Sequence, residues 1–397
     1  MKSIRVLFSL ILCVCVTTTI AQNNWSNTNQ AGMGNSATVN QTGNDNGSDL
    51  EQIGDYNNAT VDQTGSGNYS WTFQGFFSTG AADNNNIDLD QVGDNNTAWN
   101  HQYDNSFFNY QSISQNGSGN FSHIDQYDGS NNNAYLTQNG DNNTNNQTQV
   151  GTYNYGSVYT QGSGNNSEQN QNGDNNNAHI NQYGSNSSAS QYQTGLSNYA
   201  SAYQSGDDHS SSATQDGSFN NAYQFQNGSG HSADASQAGS SNNSSQDQWT
   251  GSGSSASSTQ NGTSNENWQW QGGSNNYATT SQNGSSNLAH NLAYGDNNGS
   301  SISQSGTNNE GRQAQGMIYN GSYWDYGAGS SDNYAELTQD GDGNISYQEQ
   351  SGMGGHSSIV SQFGTTNNSD SFQSGNGHSN TVIQSGSNNV SLVNQSN

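Results

Sequence analysis

Several groups of side chains have types and spacings that bear on chemistry. The run Asp340-Gly341-Asp342-Gly343-Asn344-Ile345, continued to Glu349, offers oxygen donors at intervals suited to calcium. If Gly343 takes the sharp-turn position of a calcium-binding loop, however, the first ligand becomes Thr338 rather than Asp, and no helical pattern flanks the run. The G-D-N-N turns at Asp94, Asp141, Asp174 and Asp296 present carboxylates that read as solvated turns. His209, His231 and His378 stand where neighbouring repeats carry Asn, so they read as Asn substitutes whose protonation would make assembly sensitive to pH. Ser is too abundant for any Ser/His/Asp grouping to signify a nucleophile. No catalytic, cofactor or metal site is expected.

The chemistry that does keep a strict spacing is that of amides. From Gln30, a Gln recurs at Gln41, Gln52, Gln63 and Gln74, and the beat resumes at Gln91. It continues through Gln182, Gln193, Gln204, Gln215, Gln226 and Gln237 to Gln362, Gln373, Gln384 and Gln395. There are 33 beat positions, mostly eleven residues apart, with Ala293 and Tyr326 in place of Gln. Asn follows five residues after the beat, as at Asn35, Asn46, Asn57 and Asn68, and Gly two after it, as at Gly32, Gly43, Gly54 and Gly65. A small residue stands at the seventh offset (Ala37, Ala59, Ala178, Ala200, Ala222) and often an aliphatic one at the ninth (Val39, Leu50, Val61, Ile180, Ile302, Val382).

These offsets define the elements. Alternate residues of an extended strand share a face, so Asn, Ala, the aliphatic residue and Gln form one inward row, with Gly in the turn. Carboxylates fall on the other parity, as do aromatics such as Tyr69, Trp71, Phe73, Phe121, Tyr199, Tyr223, Phe225, Trp268 and Trp270. From Ala213 the ninth offset alternates between small residues and Gln (Gln224, Ala235, Gln246, Ser258, Gln269, Thr280), which implies two strands per coil. The expectation is an all-β solenoid of about sixteen coils over residues 30–397, roughly 79 Å long at 4.8 Å per coil. Irregular segments are expected near 75–88 and 316–336.

With 26% hydrophobic residues, no Pro and 49 Gly, the chain cannot build an oil-filled core. A buried amide without partners costs about 1–3 kcal/mol, so an interior row of Gln and Asn must be hydrogen-bonded, and stacking from coil to coil achieves this. Glu could not replace Gln, because stacked carboxylates repel. The end coils would stay open, which is a template for another chain. Residues 1–21 read as a secretory signal peptide: Lys2 and Arg5, an apolar run Val6 to Val16 too short to span a bilayer, and small residues ending at Ala21. Residues 22–29 form a short segment before the repeats. Both cysteines, Cys13 and Cys15, lie in the part removed, and bulky Leu12 is wrong for lipidation at Cys13. Cleavage leaves Arg312 alone against thirty acidic residues, which disfavours nucleic acid and anionic membranes as partners.

The pattern resembles the curlin repeat, S-x5-Q-x-G-x-G-N-x-A-x3-Q. The run Gln30-Ala31-Gly32-Met33-Gly34-Asn35-Ser36-Ala37-Thr38-Val39-Asn40-Gln41 reproduces it from the first Gln to the second, and Gln63 to Gln74 differs only by Ser70 for Ala. The resemblance implies a secreted, extracellular, cell-surface amyloid fibre that serves adhesion and biofilm matrix. The implied partners are further copies of the chain, a curli-type nucleator and an outer-membrane secretion pore. Family members of the enterobacterial type have only a handful of repeats behind a Gly-rich export segment, whereas here only Gln22 to Asn29 precede many repeats. The other reading is a monomeric secreted solenoid adhesin that binds a surface or polysaccharide through its outward aromatics.

Overall fold

The structure is a computed structural model and describes residues 23–76, 82–319, 324–326 and 329–396. The expected signal peptide lies outside the described residues. Each eleven-residue unit forms one strand and one turn, and successive strands alternate between two parallel sheets of 16 strands each. The first sheet begins with Trp25–Ala31, Gly47–Ile53 and Tyr69–Gly75, the second with Ser36–Asn44, Asn58–Ser66 and Asn86–Asp94. One coil is therefore a strand from each sheet, and regular partners lie 22 residues apart, as in Gln193↔Gln215 and Gln204↔Gln226. This is the all-β, two-strand-per-coil solenoid that the offsets predict.

Period two carries through to burial, with buried and accessible residues alternating in strands such as Ser188–Leu196. The sheets enclose a thin interior of stacked columns. Ala59, Ile87 and Ala134, with Val61, Leu89, Ile113, Leu136, Val158 and Ile180, fill the second sheet's inner face from one coil to the next. Where apolar residues run out at the ninth offset, the column turns to amide, as in Gln169, Gln191, Gln224, Gln246 and Gln269. No Asp or Glu among the described residues is buried in this interior.

The turns explain the glycine. Gly65 has φ +122°, and a Cβ there would sit 1.9 Å from the Gly93 carbonyl oxygen of the next coil. Two residues on, a left-handed residue completes the turn, either Gly67 (φ 69°) or Asn95 (φ 57°). The Asp that often follows the first Gly is a strut: the Asp94, Asp141, Asp174 and Asp296 carboxylates accept the backbone N–H of Ser66, Ser118, Thr152 and Ser274, one coil earlier, at 2.8–2.9 Å.

The two irregular segments leave the solenoid without breaking it. After Gly75 the chain departs and returns through Ala82–Asp83, which pairs in parallel with Ser106–Phe107, before Asn86–Asp94 resumes the second sheet. Phe73 and His101, directed outward by parity, are 4% and 6% exposed on the strands that flank this departure. The second departure carries an antiparallel hairpin, Met317–Tyr319 with Trp324–Tyr326. Tyr326 thus belongs to a hairpin and holds no place in either large sheet, so the 33 beats of the sequence reduce to 32 stacked strands. Gln161, one of the 33 beats by residue type, is also not an inward residue. Thr160 takes the inward position and Gln161 is exposed, because two turns of equal length serve the stack better than the ten- and twelve-residue spacing that a Gln at that place would need.

Candidate functional site: the amide ladders and their open ends

Within a ladder the inward Gln does two jobs. Gln215 Nε2 donates to the Tyr199 carbonyl of the facing sheet at 2.8 Å and to Gln237 Oε1 of the next coil at 2.8 Å, while its own Oε1 accepts from Gln193 at 2.9 Å. Both N–H groups and the oxygen are thereby used. In the first sheet the chain of amides runs unbroken from Gln30 through Gln52 and Gln74 to Gln339, Gln362 and Gln384, sixteen Gln in all. The second sheet has three runs. Gln41 and Gln63 lead to Gln138, Gln182, Gln204 and Gln226 lead to Gln271, and Gln315 leads through Gln350 and Gln373 to Gln395. Thr160 and Ala293 occupy the two gaps.

Asn at the fifth offset closes the turns by a different route. Asn68 Nδ2 donates to the Gly93 carbonyl at 2.7 Å, and Asn46 Oδ1 receives the backbone N–H of Asn68 at 3.1 Å. Asn35 and Asn57 repeat this, with Asn35 Nδ2 on the Gly54 carbonyl and Asn57 N–H on Asn35 Oδ1. Gly32, Gly43, Gly54 and Gly65 all lie in these turns with positive φ.

Histidine enters the same column. The His231 N–H donates to His209 Nδ1 at 3.3 Å and the Ser254 N–H to His231 Nδ1 at 3.2 Å, so each Nδ1 does the work of an Asn oxygen. His209 Nε2 meets the Ser205 carbonyl at 3.1 Å, as an Asn Nδ2 would. The two rings stack at 5.4 Å. A ring that accepts on Nδ1 is neutral. Burial pushes the pKa of His209 down, and burial together with the charge of His209 takes His231 down to about 4. His356 forms a second such pair with His378. Counting offsets missed it, because an extra residue in the turn Ser351–Gly355 moves His356 off the regular spacing.

All the Gln donors point toward the C-terminal end. At the first coil, Gln30 and Gln41 have Oε1 atoms that receive no donor among the described residues, and at the last coil Gln384 and Gln395 each spend Nε2 only on the carbonyls of Asn368 and Ser379. Among the described residues no strand pairs with the outer edge of Trp25–Ala31 or of Val390–Ser396. An acceptor face and a donor face therefore stand at opposite ends of one prism.

The outer surface holds two further features. Rings stack along the second sheet from Tyr159 through Tyr183, Tyr203 and Phe225 to Trp249, with centroids 4.3–5.4 Å apart. Next to Trp249, an open hollow is lined by Thr250, Trp270, Gly272 and Tyr294. On the first sheet, Asp125 accepts from both His101 Nδ1 (2.9 Å) and His123 Nε2 (3.2 Å). Burial alone would raise the Asp125 pKa, but these hydrogen bonds and the charge of the two rings outweigh it and hold it at about 2.

The family model for the curlin associated repeat matches residues 43–70, 109–140 and 273–311. No curated protein matches the chain. The matched segments fall in the first third, the first half and the last third of a single stack whose coil-to-coil register runs on between them, and the stack carries curlin associated repeats in all three.

Proposed function

We propose that this chain is a structural subunit of extracellular, curli-like amyloid fibres that support cell adhesion and biofilm matrix, and that it assembles through its Gln and Asn ladders. The observation that carries the reading is the pair of unequal ends. Gln384 and Gln395 present spare N–H groups in the register in which Gln30 and Gln41 present spare oxygens, so a second copy continues both ladders head to tail. Such a contact does not close on itself, and it propagates as a filament. The parallel backbone edges of both sheets add to it. Secretion by way of the segment 1–21, and a nucleator and secretion pore as partners, belong to the same reading and rest on the curlin repeats. Incubation of the mature chain should give thioflavin-positive fibres with a meridional reflection at about 4.7–4.8 Å. A chain that stays monomeric at high concentration overturns it.

A second reading, a monomeric adhesin for polysaccharide, draws on the aromatic row from Tyr159 to Trp249 and the hollow beside it. Flat ring faces suit the apolar faces of sugars. Glycan binding by a chain that forms no fibres would favour it.

A further inference from the structure

We propose that the chain holds one divalent transition-metal ion, of the Zn2+ or Cu2+ class, between His101 Nδ1, His123 Nε2 and Asp125 Oδ1. A ligand atom of each residue lies within 4.8 Å of the other two, and His101 Nδ1 and His123 Nε2 stand 2.9 and 3.2 Å from Asp125 Oδ1. The solenoid register brings them together: His101 faces Asp125 across the adjacent strands Thr97–Tyr103 and Phe121–Tyr127, and His123, two residues before Asp125, projects to the same outer face.

The donor set decides the class of ion. Two imidazole nitrogens and one carboxylate suit borderline metals such as Zn2+ and Cu2+, whereas Ca2+ and Mg2+ take oxygen ligands, of which the acidic turns offer many. A metal at these atoms requires each ring to carry its proton on the other nitrogen, which for His101 is Nε2, and metal coordination has to outweigh leaving that N–H without an acceptor. The site is shaped for one ion with an open side. The His101 side chain is 8% exposed, Asp125 18% and His123 32%, so access runs past His123. Aromatic rings wall the rest, with Trp71 4.5 Å from His101 and Trp99 5.6 Å from His123. His101 Nε2, the ring nitrogen not aimed at Asp125, is buried with no hydrogen-bond partner. Three protein ligands leave the remaining positions to solvent or to a donor from outside the chain. An occupied site would tie two neighbouring coils together.

The test is metal retention by the intact mature chain, read with Co2+ absorption and with Zn2+ content after desalting, in a millimolar excess of Mg2+ that occupies the carboxylate turns. The expected result is one ion per chain, a rise in melting temperature on loading, and a loss of affinity of roughly 100-fold or more in both His123→Ala and Asp125→Asn. His179→Ala, on the outer face of the other sheet, should bind as the parent does. His123 is partly exposed and Asp125→Asn keeps the side-chain shape, so each variant should retain its β-sheet circular dichroism without metal. Absence of a retained ion in the parent, or equal retention in the two folded ligand variants, overturns the proposal.

Discussion

Gln315 buries a side-chain oxygen that receives no donor, and the residue one coil before it in the same column is Ala293, which has no amide to offer. Gln315 still donates to the Gly299 carbonyl and to Gln350 Oε1, so only its acceptor is idle. The same fault recurs at Gln182, whose oxygen lies beneath Thr160. These are the two interior interruptions of the second ladder. An unsatisfied buried acceptor costs about 1–3 kcal/mol. Ala293→Gln should therefore raise the stability of the chain by about 1 kcal/mol or more, seen as a higher denaturant midpoint with an unchanged slope. The new side chain enters a column that accepts Gln in nearly every other coil, so overpacking should be small. An unchanged or lower midpoint would show that hydrogen bonding along the column is not what stabilises it.

The direction of the ladder has a consequence for growth. Gln384→Leu combined with Gln395→Leu removes the donors of the last coil, while the N-terminal face is untouched. Two hydrogen bonds at about 1 kcal/mol each correspond to roughly thirtyfold weaker end-to-end association. The variant should still add through its intact face to a growing parent fibre and then stop it. Seeded growth of labelled parent chain should slow at substoichiometric variant, with one end of each seed arrested first. Symmetric arrest of both ends would contradict a polar contact.

Turn glycines divide into two kinds. Gly65→Ala would place a Cβ 1.9 Å from the Gly93 carbonyl oxygen at φ +122°, a clash with backbone that cannot move aside. Gly119 has φ +68°, and its added Cβ would meet only the Asn142 side-chain oxygen. Asn already fills the corresponding turn position at Asn95 and Asn142. Gly65→Ala should cost about 1–3 kcal/mol or more, and Gly119→Asn should be nearly neutral, by thermal or denaturant melting.

Much of this was legible because one number governs the chain. Parity within the eleven-residue unit predicts which face is buried, and the alternation of Ala213, Gln224 and Ala235 gives two strands per coil. Departures from that number hid the rest. His101 and Asp125 are 24 residues apart rather than 22, since the turn after Gln102 is longer, and no offset count pairs them. His356 slips one place for a similar reason. At Thr160 the count follows the residue type, Gln161, while the fold follows spacing. The direction of the amide donors is a property of stacked side chains and leaves no mark in a one-dimensional pattern.

The histidine pair makes the fold a reporter of acidity. The Nδ1 atoms of His209 and His231 accept backbone N–H groups, which a protonated ring cannot do. The folded pKa of His231 lies near 4, below the value of about 6.5 in an unfolded chain. Between those values the unfolded state binds more protons, so stability falls as pH falls through the window from about 6.5 to 4 and is flat above it. The loss from His231 reaches about 3 kcal/mol at the acid end. Backbone hydrogen bonds at Ser205 and Gly228, and then the charges of Asp207 and Asp208, pull the His209 pKa upward, so burial there is partly offset and the His209 share is smaller. Asn at both positions keeps an acceptor and a donor in place without a titrating group. His209→Asn with His231→Asn should match the parent at pH 7 or exceed it slightly, and should lose less stability on passing to pH 4.5. Denaturant midpoints of both proteins at the two pH values give the difference, which isolates the pair from carboxylates common to both. Equal losses in parent and variant would mean that the rings are protonated in the fold without cost.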